Sequence, residues 1–116
     1  MNAYECQITR VVDGDTVDCL INLGFNVIIR QRVRMYGINT PESRTRNLEE
    51  KKLGLAAKAR LEELFTEGQN HALLKSYGVG KFGRCLGEFF VNGSQLSVNQ
   101  ILIQEGHGKE YYGGKR

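Results

Sequence analysis

The stretch that decides the fold is residues 32–43, RVRMYGINTPES. Val33 and Met35 alternate with arginines, and this period of two is typical of a half-buried strand. Gly37 then interrupts the strand. Pro41, the single proline of the chain, holds the residue before it in an extended conformation. The stretch therefore predicts a strand that ends in a turn carrying an amide, a free carbonyl and a carboxylate.

Two further segments supply groups of the same kinds. Residues 11–17, VVDGDTV, place two carboxylates in a tight glycine turn between apolar strands. Taken alone, that turn is explained by aspartates that bond their own backbone, and its spacing does not match an EF-hand loop. Residues 81–84, KFGR, place a guanidinium at the head of a later strand. Together with Arg34, these segments suit a hard cation held beside a phosphate.

The chain resembles the staphylococcal nuclease (thermonuclease) family from about Tyr4 to Tyr112. Four motifs in order carry the resemblance: DGDT at 13–16, Arg34, NTPE at 39–42 and KFGR at 81–84. The resemblance implies a calcium-dependent nuclease that hydrolyses phosphodiester bonds of DNA, RNA or both with little sequence preference. In-line attack by water would leave 3′-phosphate ends.

A Ca²⁺ site is part of what the resemblance implies. Asp15 would supply a carboxylate, Asn39 an amide oxygen and Thr40 its backbone carbonyl, with Asp13 as a supporting group behind them. The best-known members of the family carry an aspartate where this chain has Asn39. The site therefore loses one negative charge, and we expect metal binding that is weaker but retained.

The resemblance also implies three catalytic residues. Glu42 would position or activate the attacking water, which requires hydrogen-bond reach before a suitable pKa. Arg34 and Arg84 would grip the phosphate in bidentate fashion, which a lysine would do poorly. Arg30 and Arg32 share the alternating face of Arg34. They are explained either as solvated surface with salt bridges or as a wider footprint for a polynucleotide.

Three further residues are implied on the substrate side. Lys81 would meet a phosphate, Phe82 stands where the family often has tyrosine, and Tyr112 would flank the base, with Tyr111 beside it. Residues 78–83 also spell G-x-G-x-x-G, but a strand follows them and not a helix, so a dinucleotide site is excluded. Aromatic platforms accept every base, which suits low sequence specificity.

The periodicity predicts five strands and two to three helices. The strands fall at about 4–12, 16–23, 26–36, 71–75 and 84–91. This order, with a helix after the third strand, predicts an α+β fold built on a five-stranded OB-type Greek-key β-barrel. The resemblance implies the same fold.

Capping residues place the helices. Asn47, with Glu50 three residues on, begins a helix that ends near residue 65, and Ser97 with Gln100 forms a capping box before a short second helix. Residues 92–93, NG, are a strong hairpin signal. We therefore also expect a return strand beginning just after them.

The bulk properties predict a single domain over residues 1–116, with 113–116 as a mobile tail. Of the 116 residues, 41% are hydrophobic and 25% charged, which is ordinary for a globular protein. No apolar run approaches the about 20 residues that a membrane span needs. We see no signal peptide and expect a cytoplasmic protein, with secretion after cleavage ahead of Met1 left open.

Charge and cysteine content narrow the class further. The net charge of +3 is compatible with a polyanionic partner but does not demonstrate one. Cys6, Cys19 and Cys85 are odd in number and widely spaced, which argues for a reducing compartment and for small core residues. Nothing suggests an obligate dimer, so we expect a monomer.

Two alternatives to the enzyme stay open at this stage. One is a catalytically weak OB-fold module that binds nucleic acid, which Asn39 motivates. Against it, Asp15, Arg34, Glu42 and Arg84 are all present. The other is a protein–protein adaptor on the same barrel, which would show no salt-dependent affinity for single-stranded oligonucleotides.

Overall fold

Seven strands and two helices make up the part of the chain that the structure, a computed structural model, describes: residues 3–80 and 83–113. In chain order they are β1 (Ala3–Asp13), β2 (Thr16–Gly24), β3 (Val27–Met35), β4 (Gly37–Asn39), α1 (Leu48–Glu67), β5 (His71–Val79), β6 (Cys85–Phe90), α2 (Val98–Gln104) and β7 (Lys109–Tyr111).

Five of the strands close into a barrel in the order β1-β2-β3-β6-β5. All neighbours are antiparallel except β3 and β6, which run parallel and pair Val33 with Cys85, Arg34 with Leu86 and Met35 with Gly87. β5 pairs back onto β1 and completes the ring. The predicted α+β fold with a five-stranded OB-type barrel is thus confirmed, and two helices accompany it.

The core fills the barrel and the space under α1. Val17, Cys19 and Val33 are fully buried in the barrel. Phe65 of α1 meets Phe89 of β6 edge-on, with ring centroids 5.4 Å apart. Burying side chains of this size stabilises the fold by about 1.5–3 kcal/mol each.

The cysteines behave as the sequence predicts for core residues. Cys6 and Cys19 are buried, and Cys85 is half-buried. A hydrogen bond with the Cys19 thiol, together with burial, raises the pKa of the Cys6 thiol. Cys6 is therefore an unreactive, protonated core residue.

The caps at the helix starts follow the sequence with one difference. The side chain of Asn47 accepts hydrogen bonds from the backbone N–H groups of Glu49 and Glu50, and Ser97 forms the predicted reciprocal box with Gln100. The Glu50 carboxylate, however, does not return to Asn47. It accepts from the backbone N–H of Glu42 instead, which links the start of α1 to the turn after β4.

The structure corrects three predicted elements. β5 continues to Val79, beyond the expected end near residue 75. The predicted hairpin is wrong: a turn forms, with Ser94 N–H donating to the Val91 carbonyl, but α2 follows it and not a return strand. Residues 109–111, for which no strand was predicted, form β7, which pairs with β4 in a small second sheet. Of residues 113–116, only 113 is described.

No helix in the described residues is both long enough and apolar enough to cross a membrane.

Candidate active site

One end of the barrel carries a cavity of about 280 Å³ that five separate segments build. They are β7, the turn between β1 and β2, the end of β3, the turn after β4 and the chain just before β6. Parallel pairing of β3 with β6 brings the last of these beside Arg34. The lining residues are Asp13, Asp15, Thr16, Arg34, Thr40, Glu42, Arg84 and Tyr111.

Asp15 is the most enclosed carboxylate of the cavity. Its Oδ2 accepts a hydrogen bond from the Thr40 backbone N–H at 3.0 Å and lies 3.5 Å from Nη2 of Arg34. Its Oδ1 accepts from the Thr16 hydroxyl at 3.0 Å. The register of β1 against β2 shifts just ahead of this turn, between the pair Val11–Val17 and the pair Asp13–Thr16. Such bulges redirect side chains at the ends of strands.

Arg34 is held in place by backbone carbonyls. Its Nη1 donates to the carbonyls of Met35 and Ile38, both at 2.8 Å, and more distantly to that of Asp15 at 3.4 Å. Its Nη2 donates to the amide oxygen of Asn39 at 3.4 Å. Only 13% of the side chain is exposed. The guanidinium is therefore oriented before any substrate arrives, and little ordering remains to be done on binding.

The turn that carries Glu42 is fixed from two sides. The neighbouring Ser43 donates to Asp13 with both its backbone N–H, at 3.3 Å, and its hydroxyl. On the other side, Gly54 of α1 lies against the Glu42 backbone so closely that a Cβ there would be 2.4 Å from the Glu42 carbonyl oxygen. Glu42 itself is exposed. Its carboxylate thus stands on a rigid base and faces solvent in the cavity.

A second cavity, of about 520 Å³, adjoins the first and shares Arg34, Arg84 and Tyr111 with it. Tyr112 lines this second cavity and is 68% exposed. Two of its lining rings are in contact: Tyr36 meets Tyr112 edge-on, with ring centroids 5.5 Å apart. Behind them, Tyr36 stacks on Tyr77 with a centroid distance of 4.0 Å.

The predicted site residues are mostly brought together. Asp13, Asp15, Arg34, Thr40, Glu42 and Arg84 line the first cavity. Asn39 does not line this cavity, but its side-chain oxygen accepts a hydrogen bond from Arg34, which does. Tyr112 lines the adjoining cavity. Lys81 and Phe82 lie outside the described residues. The roles assigned to all of these residues remain predictions.

Several contacts of the site had no signal in the sequence. Tyr36 and Tyr77 come together because the end of β3 and the end of β5 flank the same strand, β6. Tyr111, which the sequence offered only as the neighbour of Tyr112, reaches the first cavity because β7 pairs with β4. Gly54 looks like an ordinary helical glycine in the sequence. These contacts depend on which strands are neighbours and on how α1 packs against the turn after β4.

The donor set suits a hard cation in type but is poor in charge. Asp15, Asn39 and the Thr40 carbonyl offer oxygen only, which is what Ca²⁺ prefers. The hydroxyl of Thr40 adds a buried oxygen that has no hydrogen-bond partner among the described residues. Among the described residues, no three acidic, histidine or cysteine side chains lie close enough together to hold a metal ion. A cation here would therefore depend on neutral ligands and water.

Comparison with known proteins gives two matches. The model of the family described as staphylococcal nuclease homologue matches residues 32–115. An uncharacterized protein of Bacillus anthracis is 29% identical over 104 residues, a match that covers 88% of this chain and 45% of that protein. The chain thus spans less than half the length of the relative it matches.

Proposed function

The chain belongs to the staphylococcal nuclease homologue family, and from this we propose that it hydrolyses phosphodiester bonds of DNA, RNA or both, with Ca²⁺ as cofactor and little sequence preference. One observation carries the proposal. A single cavity is lined by an exposed carboxylate, Glu42, an enclosed carboxylate, Asp15, and two guanidiniums, Arg34 and Arg84. That combination matches a substrate that is an anion and a nucleophile that is water.

Arg34 and Arg84 would hold the scissile phosphate. Their planar guanidiniums donate paired hydrogen bonds and neutralise the charge that grows on the phosphoryl oxygens during attack. Arg34 is oriented in advance by the carbonyls of Met35 and Ile38, so its stabilisation of the transition state requires little rearrangement. Tyr112 offers an exposed ring on which a base of DNA or RNA would stack.

Glu42 would orient the attacking water and accept its proton. Water adds to phosphorus in line with the 5′ oxygen, which leaves with the electron pair of the broken P–O bond and is protonated from solvent. The products are a 3′-phosphate and a 5′-hydroxyl. Asp15, Asn39 and the Thr40 carbonyl would hold Ca²⁺, which supplies charge neutralisation and a further anchor for the phosphate.

Cleavage of single-stranded DNA in millimolar Ca²⁺, with an EDTA control, tests the proposal. Glu42→Gln and Arg34→Ala are each expected to lower turnover by about 10²–10⁴-fold. Glu49→Gln removes an exposed carboxylate from the first turn of α1 and is the matched control, with unchanged turnover. Wild-type turnover in Glu42→Gln would remove that residue from the mechanism, and urea unfolding shows whether Arg34→Ala retains its fold.

A nucleic-acid-binding module without activity is the second candidate, and Asn39 favours it. Residue 39 offers a neutral amide where the resemblance leads us to expect a carboxylate, and its oxygen already accepts a hydrogen bond from Arg34. Under this reading the wild-type protein binds oligonucleotides and cleaves none at any Ca²⁺ concentration. Cleavage that depends on both Ca²⁺ and Glu42 would exclude it.

A further inference from the structure

The outer face of β1, β2 and β3 carries a group of arginines outside both cavities. Along β2, Val17 and Cys19 point into the core, while Asp18 lies on the opposite face. Pairing places Asp18 between Arg10 of β1 and Arg32 of β3. Arg30 lies on the same face of β3, two residues further along. Arg10, Arg30 and Arg32, all exposed, are called the arginine track below.

Asp18 neutralises only part of this charge. It accepts hydrogen bonds from Nε and Nη2 of Arg32 at 2.7 and 3.1 Å. This contact holds the pKa of the Asp18 carboxyl below its ordinary value, and Arg10 and Arg30 act in the same direction from further away. Within the described residues, neither Arg10 nor Arg30 makes an ion pair of its own. Three guanidiniums therefore share one carboxylate.

The track is continuous with the candidate active site. Arg30, Arg32 and Arg34 alternate along one face of β3, so their Cα atoms are spaced by about 6.6 Å. Successive phosphates of an extended single strand are separated by a similar distance. A phosphate held at Arg34 would thus place its neighbours near Arg32 and Arg30 without bending the strand. Exposure rises along this path, from 13% at the Arg34 side chain to 52% at that of Arg32.

Beyond Arg30, the same strand leads to an aromatic residue that is almost fully exposed to solvent. Phe25 stands in the turn between β2 and β3 with a left-handed backbone, φ of 56°, and 99% of its surface exposed. Because its side chain is exposed to this degree, Phe25 makes no contribution to the core. Nearby Val27 and Ile28 are also exposed. Such a ring offers a face on which a base can stack.

We propose that the arginine track and Phe25 form an extended binding surface for single-stranded polynucleotide, along which the strand runs outward from the candidate active site. β3 from Arg34 to Val27 spans about 23 Å, so the surface would hold about four or five nucleotides, within the range known for OB-folds. The proposal deepens the proposed function and rests on it for the strand's position at Arg34. It does not require that the strand be cut.

Binding is measured first, without catalysis. Fluorescence anisotropy in EDTA gives the dissociation constant of a labelled single strand of about 12 nucleotides at several salt concentrations. Arg10→Gln/Arg30→Gln breaks no ion pair and is expected to weaken binding roughly tenfold and to reduce the salt slope by about 1.4, or 0.7 for each charge removed. Lys52→Gln/Lys58→Gln removes two charges from α1 and is the matched control, with a change below about twofold.

Substrate length separates the track from the site. In Ca²⁺, the Arg10→Gln/Arg30→Gln protein should cleave a dinucleotide at the wild-type rate and the long strand with a KM raised roughly tenfold. Phe25→Ser should weaken binding of the long strand about fivefold or more and leave the dinucleotide unaffected.

Two results would overturn the proposal: unchanged affinity and salt slope for the long strand in Arg10→Gln/Arg30→Gln, or equal losses for the dinucleotide and the long strand. Failure of the proposed function is distinguishable from either. A protein that cleaves nothing yet loses long-strand affinity in this variant would retain the track and lack the nuclease activity.

Discussion

Replacing Gly54 with alanine is expected to damage catalysis from a position that touches no substrate. The added Cβ would lie 2.4 Å from the Glu42 carbonyl oxygen, 2.5 Å from the Glu42 carbonyl carbon and 2.7 Å from the Pro41 carbonyl oxygen. All three are backbone atoms, so no side-chain rotation relieves the contact. Ordinary contact distances begin at about 3.4 Å, and α1 and the turn must therefore separate by roughly 1 Å.

The size of the effect follows from that displacement. A misplacement of about 1 Å can cost about 10²-fold in rate, and Glu42 moves with its backbone. We expect kcat to fall about 10- to 100-fold with little change in KM, because Arg34 and Arg84 stand on other segments. Overpacking costs about 1–3 kcal/mol, and the better helix propensity of alanine offsets about 1 kcal/mol of this. Stability should fall by about 0–2 kcal/mol.

Initial rates on single-stranded DNA and urea unfolding test both parts. Ala56→Gly is the control, because Ala56 is exposed on the same helix. It should lose about 1 kcal/mol of stability through helix propensity alone and keep wild-type kcat. If Gly54→Ala keeps wild-type kcat, the close packing of α1 on the turn does not position Glu42.

Three other changes have defined outcomes. Asn39→Asp should tighten Ca²⁺ binding by about one to two orders of magnitude, measured by calorimetry, because it adds a carboxylate to a charge-poor donor set; equal affinity would show that residue 39 is not a ligand. Arg60 donates to Glu105 at 2.7 and 3.0 Å and thereby lowers the pKa of the Glu105 carboxyl. Its stabilisation, below about 1 kcal/mol at this exposed site, should be present above about pH 4.3 and disappear as pH falls through the lowered pKa; urea unfolding of Arg60→Ala against wild type at several pH values measures this, and a pH-independent difference would contradict it. Asn99→Ala leaves a buried N–H and two carbonyls without their amide partner and should cost about 2–4 kcal/mol in thermal or urea unfolding; a loss below about 0.5 kcal/mol would show that water replaces the amide.

The barrel could be predicted because each of its strands has its own local signal. Val33 and Met35 alternate with arginines, and Val17 and Cys19 alternate with Thr16 and Asp18. This alternation indicates which side chains of each strand face the core. The two paired strands that were missed, β4 and β7, have only three residues each. A strand of three residues is too short to show a recognisable alternation of apolar and polar side chains. The pairing of β4 with β7 also depends on a contact between segments that are distant in sequence.

The candidate site divides in the same way. Charged groups next to turns, such as Asp15 and Glu42, could be named as candidates because the ordered motifs that contain them resemble a known family, whereas each turn alone would not have identified a site. The contacts that orient them could not. That Arg34 binds carbonyls, that Glu50 turns to Glu42 and that Gly54 packs on the turn are consequences of tertiary packing. The incorrect hairpin at residues 92–93 has the same origin: the turn forms as predicted, but the chain then enters α2, which buries Val98 and Leu102.

Closure of the barrel through three parallel residue pairs between β3 and β6 sets the order in which the parts can form. The antiparallel ribbon of β1, β2 and β3 is local and can assemble within microseconds. It contains Asp15 and Arg34 but not Arg84, which lies just before β6. The parallel pairing of β3 with β6 joins segments that α1 and β5 separate in sequence, and such long-range pairing is slow. A chain emerging from a ribosome, surrounded by RNA, would therefore lack the second guanidinium until β6 had been synthesised and paired.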